Sequence, residues 1–342
     1  MSMIARKVLL AVRSQASLRN FGYRWQNFAA MLQAVKMLLL HGFPEVLLTF
    51  GVAPGDDLLC TAVGRELRRR GIAKLWIMSK YPALFAGRRD IRLAVPFNRW
   101  LVRAVERRGK KFYSLEYAKF HRETDRSDVP TRHIIGELCS RAGITGEVLL
   151  RPYLDLTESE QQSGAWAKGQ IAIQSSGLSG VLRMQNKQWF PERFQEVVDA
   201  LRGEYGIVQI GSKDDPLLTG AKDLRGMTSI RATAAILRNA VLYVGNVGFL
   251  MHLARAVDCP SVVLFGGREA PWQSGYNCNI NLYSPLSCAP CWRWNTCDYE
   301  RKCMTDISAD MVTQAVRELI LRPRDDLPVE KMTIVKDTDA RR

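Results

Sequence analysis

The sequence predicts an α/β fold: two doubly wound domains in tandem, facing each other across a cleft, with an extra helical segment at the amino end. Three observations predict it. Short apolar runs alternate with amphipathic stretches, the beat of βαβ units and parallel sheets. That beat breaks once, near residues 150–166, and then resumes. The length of 342 residues is about two domains' worth of chain.

Residues 1–44 contain no acidic residue but carry Arg6, Lys7, Arg13, Arg19, Arg24 and Lys36. Apolar positions at Leu18, Phe21, Trp25, Phe28, Leu32, Val35 and Leu39 alternate spacings of three and four, a helix stripe. The stripe reads as a helix packed on the body or on a second subunit. The sharper reading is a basic amphipathic segment lying on anionic lipid. A transit peptide shares the composition, but serine is sparse.

Residues 45–155 read as the first domain. Val46–Phe50 is an apolar strand after Pro44, and Gly51–Gly55 a glycine-bearing turn. A helix is expected from Asp57 to Arg70, with Leu59, Val63 and Leu67 on one face and Gly71 as its stop. Leu75–Met78, Ile91–Val95 and Phe112–Tyr113 supply further strands. Pro152, Thr157 and the polar run 158–163 read as the interdomain connection.

Residues 166–322 read as the second domain. The strand Gln170–Gln174 ends in Ser175-Ser176-Gly177. Pro191 suits the first position of a helix whose buried face is Phe194, Val197, Val198 and Leu201. Ile207–Ile210, Val241–Val244 and Ser261–Phe265 are three more strands, and 310–321 is a helix. The charged tail 323–342 is expected to be loose.

The formal charge of +15 admits nucleic acid, an anionic membrane or a polyanionic substrate as partner. No module interleaves basic with aromatic residues, so nucleic acid is not expected. No run of eighteen apolar residues and no signal-peptide pattern occurs, which points to the cytoplasm. Of eight cysteines, Cys60, Cys139, Cys259 and Cys278 are scattered, a usage that suits a reducing compartment.

In doubly wound sheets ligands sit beyond the carboxyl ends of strands, and four segments there could carry chemistry. After strand 46–50, Asp56 could take a proton from an acceptor hydroxyl, although spacing alone favours Asp56 or Asp57 as a cap of the helix. Lys187, before the helix at Pro191, can meet a diphosphate as a point charge, with Ser175 and Ser176 as further donors. Gly211 ends a strand on the same side. Tyr243 to Ala254 runs from strand through glycine turn into helix, so Asn246, Gly248 and the amides that follow point at a phosphate site, with His252 on the first turn. The fourth segment is the cysteine loop 288–303. Cys288, Cys291, Cys297 and Cys303 could hold structural zinc or iron; the other reading is thiols in a loop.

Taken in order, these segments resemble glycosyltransferase family nine, the heptosyltransferase-like enzymes of the GT-B fold. Pro54-Gly55-Asp56 looks like the family's Gly-Asp turn, whose Asp is the base. Lys187 with Trp189 and Pro191 looks like its donor-phosphate lysine motif. Gly245 to Ala254 resembles its glycine-rich stretch ending in Met-His-Leu-Ala, Phe265-Gly266-Gly267 its Phe-Gly, and Cys288 to Cys291 its Cys-x-Pro-Cys. The resemblance covers residues 45–322. It departs at Val247, where relatives carry an acid, and near Phe249, where they carry glycine.

The resemblance implies inverting transfer of a heptose or related sugar from a nucleotide-diphosphate sugar to lipopolysaccharide or another cell-surface glycan. Asp56 would be the base. Ser175, Ser176, Lys187, Gly211, Asn246, Gly248 and His252 would hold the donor, without a catalytic metal. The enzyme implied is cytoplasmic, able to form oligomers and peripheral on the inner membrane through its basic helix, where it would meet a glycolipid acceptor. A non-catalytic metal-containing module for anionic glycan or nucleic acid is the alternative, favoured by Val247. A dinucleotide oxidoreductase is a distant third, because no G-x-G-x-x-G follows the first strand.

Overall fold

A computed structural model of the chain describes residues 27–51, 53–117, 129–178, 180, 183–323 and 327–335. The upper stripe, with Leu18, Phe21 and Trp25, and Arg6, Lys7, Arg13, Arg19 and Arg24 lie outside the described residues.

Helix α1 spans 27–41 and leads into strand β1, Val46–Thr49. Helix α2 follows over Pro54–Arg69. It starts three residues before the expected Asp57, because Pro54 at its first position fixes the required φ. Asp56 and Asp57 complement the helix dipole in the first turn, Arg68 and Arg69 in the last. Then come β2 (Leu75–Met78), β3 (Leu93–Val95), α3 (Arg99–Arg107) and β4 (Lys111–Ser114). These strands form a four-stranded parallel sheet in the order β3-β2-β1-β4. The strands β1 and β2 are buried throughout, as parallel strands covered on both faces must be. One face takes α2, and the other takes α1 and α3 through Ala34, Leu47, Trp76, Leu101 and Val105.

Of the surfaces the α1 stripe was read to meet, the body of the chain is not the one it faces. Ala34 is buried, with Met37 and Leu38 packed against the same cluster, whereas Phe28, Leu32, Val35 and Leu39 are exposed. Ala34 lets the helix approach the Trp76 surface closely, with Met37 and Leu38 packing on the same cluster.

Next come α4 (Ile134–Arg141), which packs beside α2, and β5 (Gly146–Leu149); the connection that follows contains α5 (Glu158–Ser163), opened by a capping box of Thr157 and Glu160. The second sheet is built from β6 (Gln170–Ile173), α6 (Pro191–Leu201), β7 (Gly206–Gln209), β8 (Lys222–Asp223), α7 (Ile230–Asn239), β9 (Leu242–Asn246), α8 (Phe249–Ala256), β10 (Ser261–Phe265), α9 (Pro271–Ser274) and β11 (Ile280–Tyr283). Its six parallel strands run β11-β10-β9-β6-β7-β8. Short α10 (Lys302–Thr305) precedes α11 (Ala309–Ile320), which covers the outer face together with α6.

The tail departs from expectation. Its strand β12, Lys331–Ile334, pairs antiparallel with β5, and Ile334 is buried. It is held because β5 presents an unpaired edge and α4 presents Gly136, against which Met332 packs.

The helices between the sheets, α2, α4, α7 and α8, share one apolar cluster with residues of both halves. At Gly55 a side chain would lie 3.5 Å from the Cα of Phe249. The amino ends of α2 and α8 therefore meet across the cleft, at the carboxyl ends of both sheets.

Candidate active site

A cavity of about 360 Å³ opens where those two helix ends meet. Asp56, Lys187, Gly211, Asn246, Gly248 and His252 line it. Ser175 and Ser176, expected beside them, are not among the lining residues, and their hydroxyls are bonded within the chain. The Ser175 hydroxyl donates to Pro216 O at 2.6 Å and accepts from Gln209 Nε2 at 3.0 Å. Ser176 Oγ donates to Gln188 Oε1 at 3.3 Å and accepts from the amide of Leu178 at 3.1 Å. Both hydroxyls are committed to holding loops together.

Asp56 occupies the third position of α2, where its carboxylate takes the amide of Ala53, the residue before the helix. It thus serves the helix end in part while facing the cavity. Burial pushes its carboxyl up to about 7, with the charge of Lys187 opposing that rise. A carboxylate balanced near neutrality is what proton abstraction from a hydroxyl asks for. Asp57 is different. Its Oδ1 accepts the amide of Gly51 at 2.9 Å and its Oδ2 accepts the Ser79 hydroxyl, so it pins the turn before the helix.

Lys187 closes a short 3-10 turn, Gln185–Lys187, and its Nζ is ion-paired to Glu269 Oε1. Glu269 is buried, accepts from Ser274 Oγ at 2.5 Å, and lies within 3.6 Å of the Arg268 guanidinium. Burial would raise its carboxyl, but Lys187, Arg268 and Ser274 hold it down to about 2. The sequence reading missed Glu269. The signal present was an acidic residue two positions beyond Phe265-Gly266-Gly267, at the carboxyl end of a central strand.

Gln188 and Asn246 knit the loops at the strand ends. Gln188 Oε1 accepts from the amide of Gly177 at 2.7 Å and from Asn246 Nδ2 at 3.3 Å, while Asn246 Oδ1 takes the amide of Trp189 at 3.1 Å. Gly266 is required by close approach, since a Cβ there would lie 2.7 Å from Asn186 O. Gly211 holds a φ of +131° in the cavity wall. His252 Nδ1 meets the Tyr276 hydroxyl at 2.7 Å, and burial lowers its imidazole to about 3, so the ring is neutral. Val247 contributes an apolar side chain to the same wall.

The cysteine loop braces the lysine turn. Asn186 Nδ2 donates to Thr296 O at 2.8 Å, and the Asn186 amide donates to Trp294 O at 2.9 Å. Among the described residues no group of three or more His, Cys, Asp or Glu is placed to hold a metal ion. Cys288 and Cys291 are half-buried in that loop. Cys303 is buried and Cys297 is exposed, accepting the Arg301 amide at 3.3 Å. No described helix is long and apolar enough to cross a membrane.

Comparison with known proteins agrees with this geometry. Residues 154–300 match the family model of Glycosyltransferase family 9 (heptosyltransferase). By sequence, no curated protein matches. Among solved structures, ADP-heptose lps heptosyltransferase II of E. coli superposes with a TM-score of 0.62 at 16% identity, covering 81% of this chain and 98% of that one. A family 9 glycosyltransferase of Veillonella parvula gives 0.58 at 15%, over 81% and 97%. TibC of enterotoxigenic E. coli, an iron-containing dodecameric glycosyltransferase, gives 0.64 at 18%, over 81% and 76%. The GT-B fold read from the sequence is therefore the fold observed.

Proposed function

We propose that this chain, which carries a glycosyltransferase family 9 domain over residues 154–300, transfers a sugar with inversion from a nucleotide-diphosphate donor to a glycan hydroxyl. One observation carries the reading: Asp56 on one lip and Lys187 with the amino end of α8 on the other line a single cavity. The ionised Asp56 takes the proton of the acceptor hydroxyl as its oxygen attacks the anomeric carbon from the face opposite the leaving group. The bond from that carbon to the diphosphate oxygen breaks. The released negative charge develops beside Lys187 and the amides opening α8, in a site that costs no reorganisation. Neutral His252 supplies a hydrogen-bonding ring and no charge.

ADP-heptose is the proposed donor, on the likeness of the fold to heptosyltransferases. The proposed acceptor is a lipopolysaccharide-type glycolipid held at the inner membrane surface. A structural ion on the cysteine loop is tested by metal analysis of the purified chain, and no step above depends on it.

The decisive experiment pairs binding with turnover. ADP and ADP-heptose should raise the melting temperature, and Asp56→Asn should bind ADP as wild type does yet lose transfer by about a thousandfold. Wild-type protein that ignores every nucleotide and nucleotide sugar would return the non-catalytic reading. An Asp56→Asn variant that still transfers would remove the base.

A further inference from the structure

We infer that the outer face of α1 is a docking surface for an anionic lipid bilayer. The inference deepens the reading of a membrane-held acceptor and rests on it. Helix α1 is apolar on two sides. Its inner side, around Ala34, is covered by the first sheet. Its outer side presents Leu32, Val35, Leu39 and Leu40, which are 50%, 46%, 81% and 66% exposed. Spacings of three and four align the first three in one stripe. Contiguous apolar surface of this kind marks a binding face.

The charge around the stripe selects the occupant. Arg99, Arg103 and Arg107 recur every four residues along the exposed side of the neighbouring α3, followed by Arg108, Lys110 and Lys111. Lys36 lies beside the stripe itself. Glu106 is the single acidic residue of α3, and the 44 residues through α1 contain none. Arg99 and Arg103 lie over the Trp100 ring at 5.5 and 5.1 Å. Phe97 is 65% exposed and adjoins Asn98, whose side-chain Nδ2 donates to Ala30 O of α1 at 2.8 Å. A second copy would set two cationic fringes against each other. Nucleic acid would satisfy the arginines and leave the leucines in water. An anionic bilayer accepts both, with leucines among the acyl chains and arginines and aromatic rings at the headgroups.

The placement suits the proposed chemistry. Both α1 and α3 run back along the sheet against the strand direction. Their amino ends therefore lie at the carboxyl ends of the strands, as the Asn98 amide at 3.4 Å from Met78 Sδ confirms. A bilayer on this face reaches the rim of the cavity on the Asp56 side, where a lipid-borne hydroxyl would enter.

The test uses the full chain and vesicles of phosphatidylcholine, with or without phosphatidylglycerol, in a sedimentation assay. Binding should require phosphatidylglycerol and weaken with salt. Leu32→Ser/Leu39→Ser should lower the partition coefficient by about tenfold or more, and Arg103→Gln/Arg107→Gln by about fivefold per arginine. Both variants should keep the wild-type melting temperature and ADP-induced shift, because these side chains are solvent-facing. Unchanged vesicle binding in the leucine variant overturns the proposal. So does a wild-type dimer, seen by light scattering without lipid, that the leucine variant dissociates. Because ADP binding is read separately, failure of the membrane face and failure of the transferase reading are distinguishable.

Discussion

Asp56 and Asp57 are adjacent, identical in chemistry and on the same helix turn, yet their surroundings give them different work. Asp57 has its oxygens filled by Gly51 and Ser79. Asp56 faces the cavity with a carboxyl pushed up to about 7 by burial. The base must be ionised, and its ionised fraction rises with pH. Transfer measured as kcat/KM should therefore climb about tenfold per pH unit below 7 and level off above it. A profile flat from pH 5 to 8 would dissociate Asp56 from the rate. Lys187 and Glu269 form the second pair whose parts cannot be judged singly. Lys187→Met leaves the buried Glu269 carboxylate with only Arg268 and Ser274 to hold it and should destabilise by about 3 kcal/mol in urea unfolding. Lys187→Met/Glu269→Gln should recover most of that stability while ADP binding stays weak. Recovery of ADP binding in the double variant would show that Lys187 serves the fold and not the phosphate. Glu269 was not legible in the sequence, because an acid past a strand reads as a solvated loop residue until the fold folds it under Ser274. The partners of the Ser175 and Ser176 hydroxyls were hidden for a related reason: Pro216, Gln209 and Gln188 are brought beside them only by the packing of other segments.

At the scale of elements, what could be read followed the periodicity. The strands β1, β2, β6, β7, β9 and β10 are mainly apolar runs, and each lies within two residues of where its run predicted. The helix α2 began early because a proline outranked an aspartate as its start signal. Strands β5 and β12 were not legible: each is four residues long, and both mix charge with apolar positions. Their pairing joins residues about 185 apart in sequence, which no local pattern encodes. The apolar stripe of α1 was legible as a stripe, but its direction was not, because both sides of the helix are apolar and only the Trp76 surface decides between them. The correction to the tail has a measurable consequence. Ending the chain at residue 323 removes Met332 and buried Ile334 and bares the edge of β5. It should cost about 2–4 kcal/mol in urea unfolding, with ADP binding retained at low temperature. An unchanged midpoint would mean that β12 adds nothing to the fold.

For the whole molecule, the shared cluster of α2, α4, α7 and α8 ties the two halves into one apolar body around the cavity, so titrating groups buried in that body report on global stability. Four of them matter. Burial lowers His133 to about 4 and His252 to about 3, so both are neutral in the folded chain. As pH falls below the unfolded value near 6.5, the unfolded chain takes up these protons first and stability is lost down to those folded values. Asp56 acts in the opposite sense. Its folded value near 7 lies above the ordinary carboxylate range, so lowering the pH from 7 to about 4 recovers stability. Glu269, held down to about 2, keeps its contribution until the pH drops below about 4.5. Between pH 6.5 and 4, then, two imidazoles lose while one carboxyl gains, a net loss on the order of 3 kcal/mol. The melting temperature should fall across that window. Asp56→Asn removes the opposing gain, so its melting temperature should fall more steeply, from a starting point at pH 7 no lower than wild type. Parallel curves for the two proteins would mean that Asp56 carries an ordinary pKa, and the pH dependence assigned to the base would fall with it.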